Sequence, residues 1–275
     1  MPELPEVENV RRQMSSIAGS AISGAESSTH ALRYQLSASD AKSLLGAGIS
    51  AQGPQRLGRY ILLPLAAGGI IMIHLGMTGS IRLGPRHPER KHDHVWIDLQ
   101  ASDGSEQSII YNDARRFGGV ALLPCSTLEE ARDLLGLGIE PTAPIHPGLL
   151  AQAYASGKAI KPMLMDNALV TGIGNIYASE ICHQAQISPT RAGRSLSEQD
   201  FEALGEAIHC VIDNAISHGG STLRNYVHVD GSSGSAQQLH RVYARAGEPC
   251  ARCGGEIAAT SQAGRATFHC PRCQV

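Results

Sequence analysis

Several kinds of signal are missing from this 275-residue chain, and each absence narrows what it can be. No apolar run approaches the roughly 18 residues that a membrane span requires, so the chain is expected neither to span nor to anchor in a bilayer. The opening MPELPEVENVRRQM is acidic and amphipathic and lacks the basic-then-apolar layout of an export signal. That points to a cytoplasmic protein whose cysteines are reduced. An overall positive charge is missing too: the formal net charge is -2, which counts against a uniformly cationic surface for polyanions. Residues 241–275 qualify this, because they hold five arginines against Glu248 and Glu256 and contain no Asp or Lys. The C-terminal end can therefore face phosphate while the whole chain stays near neutral. Phenylalanine is scarce, at three residues, so the place of each carries weight. No internal repeat is visible.

What is present reads as a globular protein of about two folding units, with 42% hydrophobic and 17% charged residues. Pro5 in a first turn, Glu6 and Glu8 at the positive helix end, and an apolar stripe of Val7, Val10 and Met14 predict a helix through about residue 18. Between about 20 and 122 the signals become those of strands. Apolar runs at Tyr60 to Leu65 and Ile70 to Leu75 flank Ala-Ala-Gly-Gly, and Val95 to Leu99 and Ser108 to Tyr111 flank Ser-Asp-Gly, which reads as an antiparallel sandwich or barrel. After Ser126 the period becomes helical, at 127–135, 146–155, 175–185 and 198–217, with caps at Ser126 and Ser197. Pro124, Pro141, Pro144 and Pro147 mark the join. The expected organisation is α+β: a sheet domain over 1–123, a linker region over 124–147, a helical domain over 148–238 and a metal-binding end over 239–275. The polar segment 219–236, rich in Gly and Ser, is expected to be a mobile loop.

The strongest local pattern is Cys250-x2-Cys253, sixteen residues, then Cys270-x2-Cys273. Each CxxC turn offers two thiolates, four thiolates make a tetrahedral zinc site, and so short a segment cannot bury enough core to fold without such a clip. One structural zinc ion is therefore expected, in preference to two disulfides or core cysteines. Cys125, Cys182 and Cys210 have no partners of this kind and are expected in the core. Gly-Arg265-Ala-Thr-Phe268, between the cysteine pairs, places an arginine on a hairpin tip.

Alone, Met1-Pro2-Glu3-Leu4-Pro5-Glu6 could be an ordinary proline-punctuated end. Together with HLGMTGS at 74–80, KHDHV at 91–95, DARRFGG at 113–119, AIKPMLMDN at 159–167, GIGNIYASE at 172–180 and the four cysteines, it resembles the formamidopyrimidine-DNA glycosylase family over essentially its whole length. The resemblance implies an N-terminal helix and β-sandwich domain, a helix-two-turn-helix domain and a zinc β-hairpin. It also implies a bifunctional enzyme, a monomer acting on damaged double-stranded DNA, that removes oxidised purines through a Schiff base at Pro2 and nicks the strand by β,δ-elimination. Glu3 takes the position of the proton donor. Met77, Arg115 and Phe117 take those of the side chains that fill the gap left by an extruded nucleotide. His74, His92, Lys161, Asn175 and Arg265 match positions that contact the DNA backbone, and Arg265 also matches a residue tied to the final elimination.

The chemistry asked of Pro2 can be argued without the resemblance. An α-amine titrates near 8, against about 10.4 for lysine, so part of it is a neutral nucleophile at physiological pH. A secondary amine condensed with a sugar C1′ gives an iminium that has no N–H to lose and stays cationic, which acidifies the C2′ proton for elimination. Extruding a nucleotide calls for apolar or planar wedges, the character of Met77 and Phe117. Gly172 and Gly174 would bring backbone N–H groups close to a phosphate at the start of the helix bearing Asn175. Glu6 is as well explained by the helix N-terminus as by catalysis. His92-Asp93-His94 could suggest a second metal, but no third ligand is evident.

Three positions depart from the family pattern. Arg59 stands where lysine is usual; it keeps a phosphate contact but is a poor proton donor. Ser235-Ala236 replaces an aromatic pair at the end of the segment 231–237, and Ala244 replaces a glycine. The alternatives are an endonuclease VIII-type enzyme for oxidised pyrimidines and a zinc-containing protein that binds damaged DNA without catalysis.

Overall fold

The computed structural model describes residues 1–221 and 235–275. The loop expected over 219–236 therefore lies for the most part outside the described residues, but the altered Ser235-Ala236 is described: Ala236 is buried and opens a 3-10 turn over Ala236–Leu239. The chain divides into two compact units, one comprising Met1–Leu135 together with Ser221, the other Gly136–Gly220 and Ser235–Val275.

The first unit opens with α1 (Leu4–Gln13), which has Pro5 and Glu6 in its first turn and Arg11 and Arg12 in its last, as the peptide dipoles favour. A short helix α2 (Ala38–Ser43) is capped by Ser37, whose hydroxyl accepts from the Asp40 N–H. Two four-stranded antiparallel sheets follow. The first runs β1 (Ala21–Ser27), β6 (Asp93–Gln100), β7 (Glu106–Asn112), β5 (Ser80–Gly84); the second runs β2 (Gln55–Leu57), β3 (Tyr60–Pro64), β4 (Ile70–His74), β8 (Gly119–Leu123).

Alternate residues of the second sheet, Ile61, Leu63, Ile71, Ile73 and Val120, meet Ile81, Val95, Ile97 and Ile109 of the first in one core, with Val7, Val10 and Met14 of α1. The opposite face of the second sheet, with Leu62, Ile70, Met72 and Leu123, packs on Ala131 of α3 (Leu128–Leu134). Burial on both faces is why β3 and β4 read as unbroken apolar runs rather than as an alternation. Helix α3 lies within the stretch expected as linker. Its N-cap is Thr127, whose hydroxyl accepts from the Glu130 N–H, while the Ser126 N–H donates to the Glu130 carboxylate.

The second unit contains α4 (Pro147–Tyr154), α5 (Ile160–Leu164), α6 (Asn175–Gln184) and α7 (Glu198–Ser217), the last capped by Ser197, and the hairpin β9 (Ala258–Gln262) and β10 (Arg265–His269). Leu150, Tyr154, Ile160, Leu164, Ile181, Leu204, Ile208 and Ile212 are buried in it. Glu180 on α6 accepts the backbone N–H groups of Arg241, Val242 and Tyr243 at 2.8, 3.1 and 2.8 Å, which ties down the chain entering the hairpin. Among the three cysteines expected in the core, Cys182 is buried and Cys125 half-buried, but Cys210 is exposed. It occupies the solvent side of α7, whose inward stripe is Leu204, Ile208 and Ile212. No helix among the described residues is long and apolar enough to cross a membrane.

Candidate active site and nucleic-acid interface

In the first unit the amino end of the chain is enclosed rather than frayed. Pro2 is buried, Glu3 is 4% exposed and Glu6 1%. Glu6 accepts the Glu3 N–H through one oxygen at 2.8 Å and the Ser221 N–H through the other at 2.6 Å. Its observed work is thus to hold the start of α1. Burial lowers the Met1 amine below its ordinary value against the opposing pull of Glu3 and Glu6, with Arg59 and Arg115 adding to the lowering. Arg59 is itself buried and places a guanidinium nitrogen 3.8 Å from the Met1 sulfur.

His74 closes β4, packed between the rings of Tyr34 and Tyr60 at centroid distances of 5.5 and 5.0 Å. Burial first, then the charges of Arg33 and Arg59, push its pKa down to about 4. In the DNA-free protein it is therefore a neutral imidazole at physiological pH. His92 sits half-buried with φ of +72°, in the left-handed region. Its neighbours are otherwise engaged: Asp93 takes both guanidinium nitrogens of Arg82 at 2.9 Å, and His94 lies 3.0 Å from the Ser28 hydroxyl and 3.1 Å from the Asp113 carbonyl.

Met77 and Phe117, 39% and 48% exposed, project from two loops that touch backbone to backbone. A Cβ at Gly118 would lie 2.1 Å from the His74 carbonyl, and one at Gly76 only 2.5 Å from the Gly118 nitrogen, so both positions demand glycine. The Arg115 guanidinium lies over the Phe117 ring at 4.7 Å.

Beneath these loops is a residue that the sequence reading missed. Asp113 is completely buried, and its carboxylate accepts the Thr78 hydroxyl, the Arg115 N–H at 3.1 Å and the Gly118 N–H at 3.0 Å, with the Tyr111 hydroxyl at 3.0 Å. One carboxylate therefore gathers donors from both loops. The available signal was an Asp placed directly between a strand and a Gly-rich loop, where its side chain can satisfy loop amides.

In the second unit Asn175 is the first residue of α6, after Gly172 with φ of +85° and the N-cap Gly174. Lys161, on α5, was expected at a phosphate; it is instead 1% exposed. Its ammonium donates to Asn175 Oδ1 at 2.7 Å, Thr267 Oγ1 at 2.9 Å and the Ala266 carbonyl at 3.3 Å. The Asn175 amide donates to the same Ala266 carbonyl at 3.0 Å. Arg265 is exposed at the start of β10, just past the Ala263-Gly264 turn.

The four sulfurs of Cys250, Cys253, Cys270 and Cys273 lie within 4.8 Å of one another. The Cys250–Cys273 and Cys253–Cys270 separations are 3.9 and 3.6 Å. These are far longer than a disulfide of about 2.05 Å and close to the roughly 3.8 Å edge of a tetrahedron with Zn–S of about 2.3 Å. The donor set fits one structural zinc ion.

A two-sheet unit with an enclosed amino end, a helical unit and a four-cysteine hairpin are the parts expected of a DNA glycosylase of base excision repair, and similarity to known proteins places the chain in that class. Family models match in chain order: the formamidopyrimidine-DNA glycosylase N-terminal domain at residues 1–120, the formamidopyrimidine-DNA glycosylase H2TH domain at 137–227, and the zinc finger found in FPG and IleRS at 247–275. The chain belongs to the formamidopyrimidine-DNA glycosylase family. It is 39% identical to the formamidopyrimidine-DNA glycosylase of Mesorhizobium japonicum and 40% identical to that of Brucella ovis, in each case over 100% of both chains. Among solved structures it resembles a Lactococcus lactis variant enzyme bound to DNA containing Fapy-dG, with a TM-score of 0.87, 35% identity and 99% of each chain covered. It likewise resembles the Lactococcus lactis enzyme bound to DNA containing an abasic site, with a TM-score of 0.86, 34% identity and 99% of each chain covered.

Proposed function

We propose that this chain removes oxidised purines, 8-oxoguanine and formamidopyrimidines among them, from double-stranded DNA and then nicks the strand, using the amine that Pro2 gains when Met1 is removed. The observation that carries the reading is the enclosed amino end: Pro2 is buried next to the buried Glu3, and with Met1 still in place burial lowers the Met1 amine below its ordinary value, against Glu3 and Glu6 and with Arg59 and Arg115. In the first step the Pro2 nitrogen forms a bond to C1′ as the glycosidic bond breaks, and the departing base takes up a proton. Ring opening of the sugar then gives the iminium. Loss of the C2′ proton expels the 3′ phosphate, and a second elimination releases the 5′ phosphate. Glu3, adjacent to Pro2 and nearly buried, moves protons at the sugar and the base.

On this reading residues 1–123 are the catalytic domain, 124–147 a linker, 148–238 the helical DNA-binding domain and 239–275 the zinc finger. Met77, Arg115 and Phe117 occupy the gap left by the extruded nucleotide. His74, His92, Asn175 and Arg265 grip the backbone, and Lys161 acts through Asn175. Arg59 holds phosphate near the nucleophile, and Arg265 serves the last elimination. The protein works as a cytoplasmic monomer that meets the nucleoid through DNA.

Borohydride trapping tests this with a duplex carrying one 8-oxoguanine opposite cytosine. The expected result is a covalent adduct that disappears in Pro2→Gly. No adduct with either this duplex or abasic DNA would sink the enzyme mechanism. An adduct with thymine glycol DNA alone would move the substrate class to oxidised pyrimidines.

A further inference from the structure

The last turn of α6 brings a second element to the metal centre. His183, 3% exposed, places its Nε2 3.4 Å from Cys250 Sγ. We infer that His183 is a positioning residue for the zinc centre, its imidazole N–H donating to the Cys250 thiolate and so fastening the end of α6 to the metal.

A zinc ion held by four thiolates keeps a net double negative charge, and such a centre needs N–H donors around its sulfurs. The hairpin supplies some from its own backbone: the Arg252 N–H reaches Cys250 Sγ and the Gly255 N–H reaches Cys253 Sγ, both at 3.4 Å. His183 adds a side-chain donor from outside the hairpin. A metal-bound thiolate carries no proton and can only accept, so the zinc-loaded site selects the tautomer with hydrogen on Nε2. In the metal-free protein the polarity can reverse, with the Cys250 thiol donating to a bare Nε2.

The geometry gives this bond a mechanical meaning. At its other end α6 begins with Asn175, which is held to the hairpin through Ala266 and, by way of Lys161, through Thr267. Helix α6 is thus fastened to the hairpin at both ends, and the His183 end is the one that passes through zinc. Arg252 reinforces it, donating to the Gln184 carbonyl at 3.4 Å. His183 also borders a cavity of about 230 Å³, so side chains of similar size can be accommodated there.

The test compares full-length, zinc-loaded wild type with His183→Phe, which keeps a ring without the donor, and His183→Gln, which keeps an N–H. Zinc transfer to an excess of chromogenic chelator is expected to be about 10-fold or more faster in His183→Phe and close to wild type in His183→Gln. Cadmium-substituted wild type should show scalar coupling between the imidazole proton and the metal, absent from both variants. Cys250→Ser marks complete loss of the centre, and far-ultraviolet circular dichroism checks that each variant is folded. Release from His183→Phe at the wild-type rate would overturn the inference. So would equally fast release from both variants without metal coupling in the wild type, which would assign the effect to packing alone.

Discussion

The two units organise their functional surfaces with buried charges of opposite sign. In the first, the Asp113 carboxylate gathers hydroxyl and amide donors from two loops. In the second, the Lys161 ammonium gathers oxygens from the start of α6 and from β10. Neither group is exposed, and each holds exposed residues in place: Met77, Arg115 and Phe117 above Asp113, Arg265 beside the strand that Lys161 grips. The difference lies in what stands behind them. Asp113 rests on a two-sheet core, whereas the hairpin gripped by Lys161 has only Val242, Ile257 and its cysteines as a buried cluster. A large apolar core can support a buried charge unaided; a small one needs a metal as well.

The comparison can be broken first at Asp113. Asp113→Asn turns an amide NH2 toward donors and should cost about 3 kcal/mol in chemical denaturation, with weaker binding to abasic DNA. A loss under about 1 kcal/mol would mean that the loops do not depend on this carboxylate. Next is Lys161→Met, expected to cost about 2 kcal/mol by stripping Asn175 Oδ1 and Thr267 of their donor. DNA affinity should fall while the slope of log K against log salt stays unchanged, because a buried ammonium releases no counterion. A slope smaller by about 1 would put Lys161 on a phosphate after all.

The smallest effect is at His74. The unfolded chain takes up this proton near pH 6.5 and the folded protein only near 4, so stability is at its full value above 6.5 and falls as pH drops through that window. The loss at about pH 6 should be under about 1 kcal/mol, and His74→Gln should flatten that part of the stability curve.

Long elements were legible in the sequence because their burial is periodic or continuous. The runs at Tyr60–Pro64 and Ile70–His74 and the stripe of α7 left little choice. Helices α2 and α5, of six and five residues, are too short to show a period of 3.6, and α5 is the one that carries Lys161. That is why Lys161 read as a surface cation: its burial depends on Thr267, more than a hundred positions away. The four cysteines were legible because metal geometry dictates their spacing. Asp113 was legible only in part: its place before a Gly-rich loop signals that it can take a local amide such as that of Gly118, but only the fold brings Thr78 to it and buries it.

The two-sided burial of the second sheet leaves one question of alignment. Where one face is wet, sliding a strand by a residue turns apolar side chains to water, and polarity alone sets the register. Here Ile71 and Ile73 face one core and Ile70 and Met72 the other, so a slipped strand would exchange one apolar set for another. The key is steric. His74 pairs with Gly119, whose missing Cβ would fall 2.0 Å from the Tyr34 carbonyl, and neither Val120 nor any other side chain fits there. The register of β8, and with it the height at which Phe117 stands, is set by the one residue in that strand without a side chain.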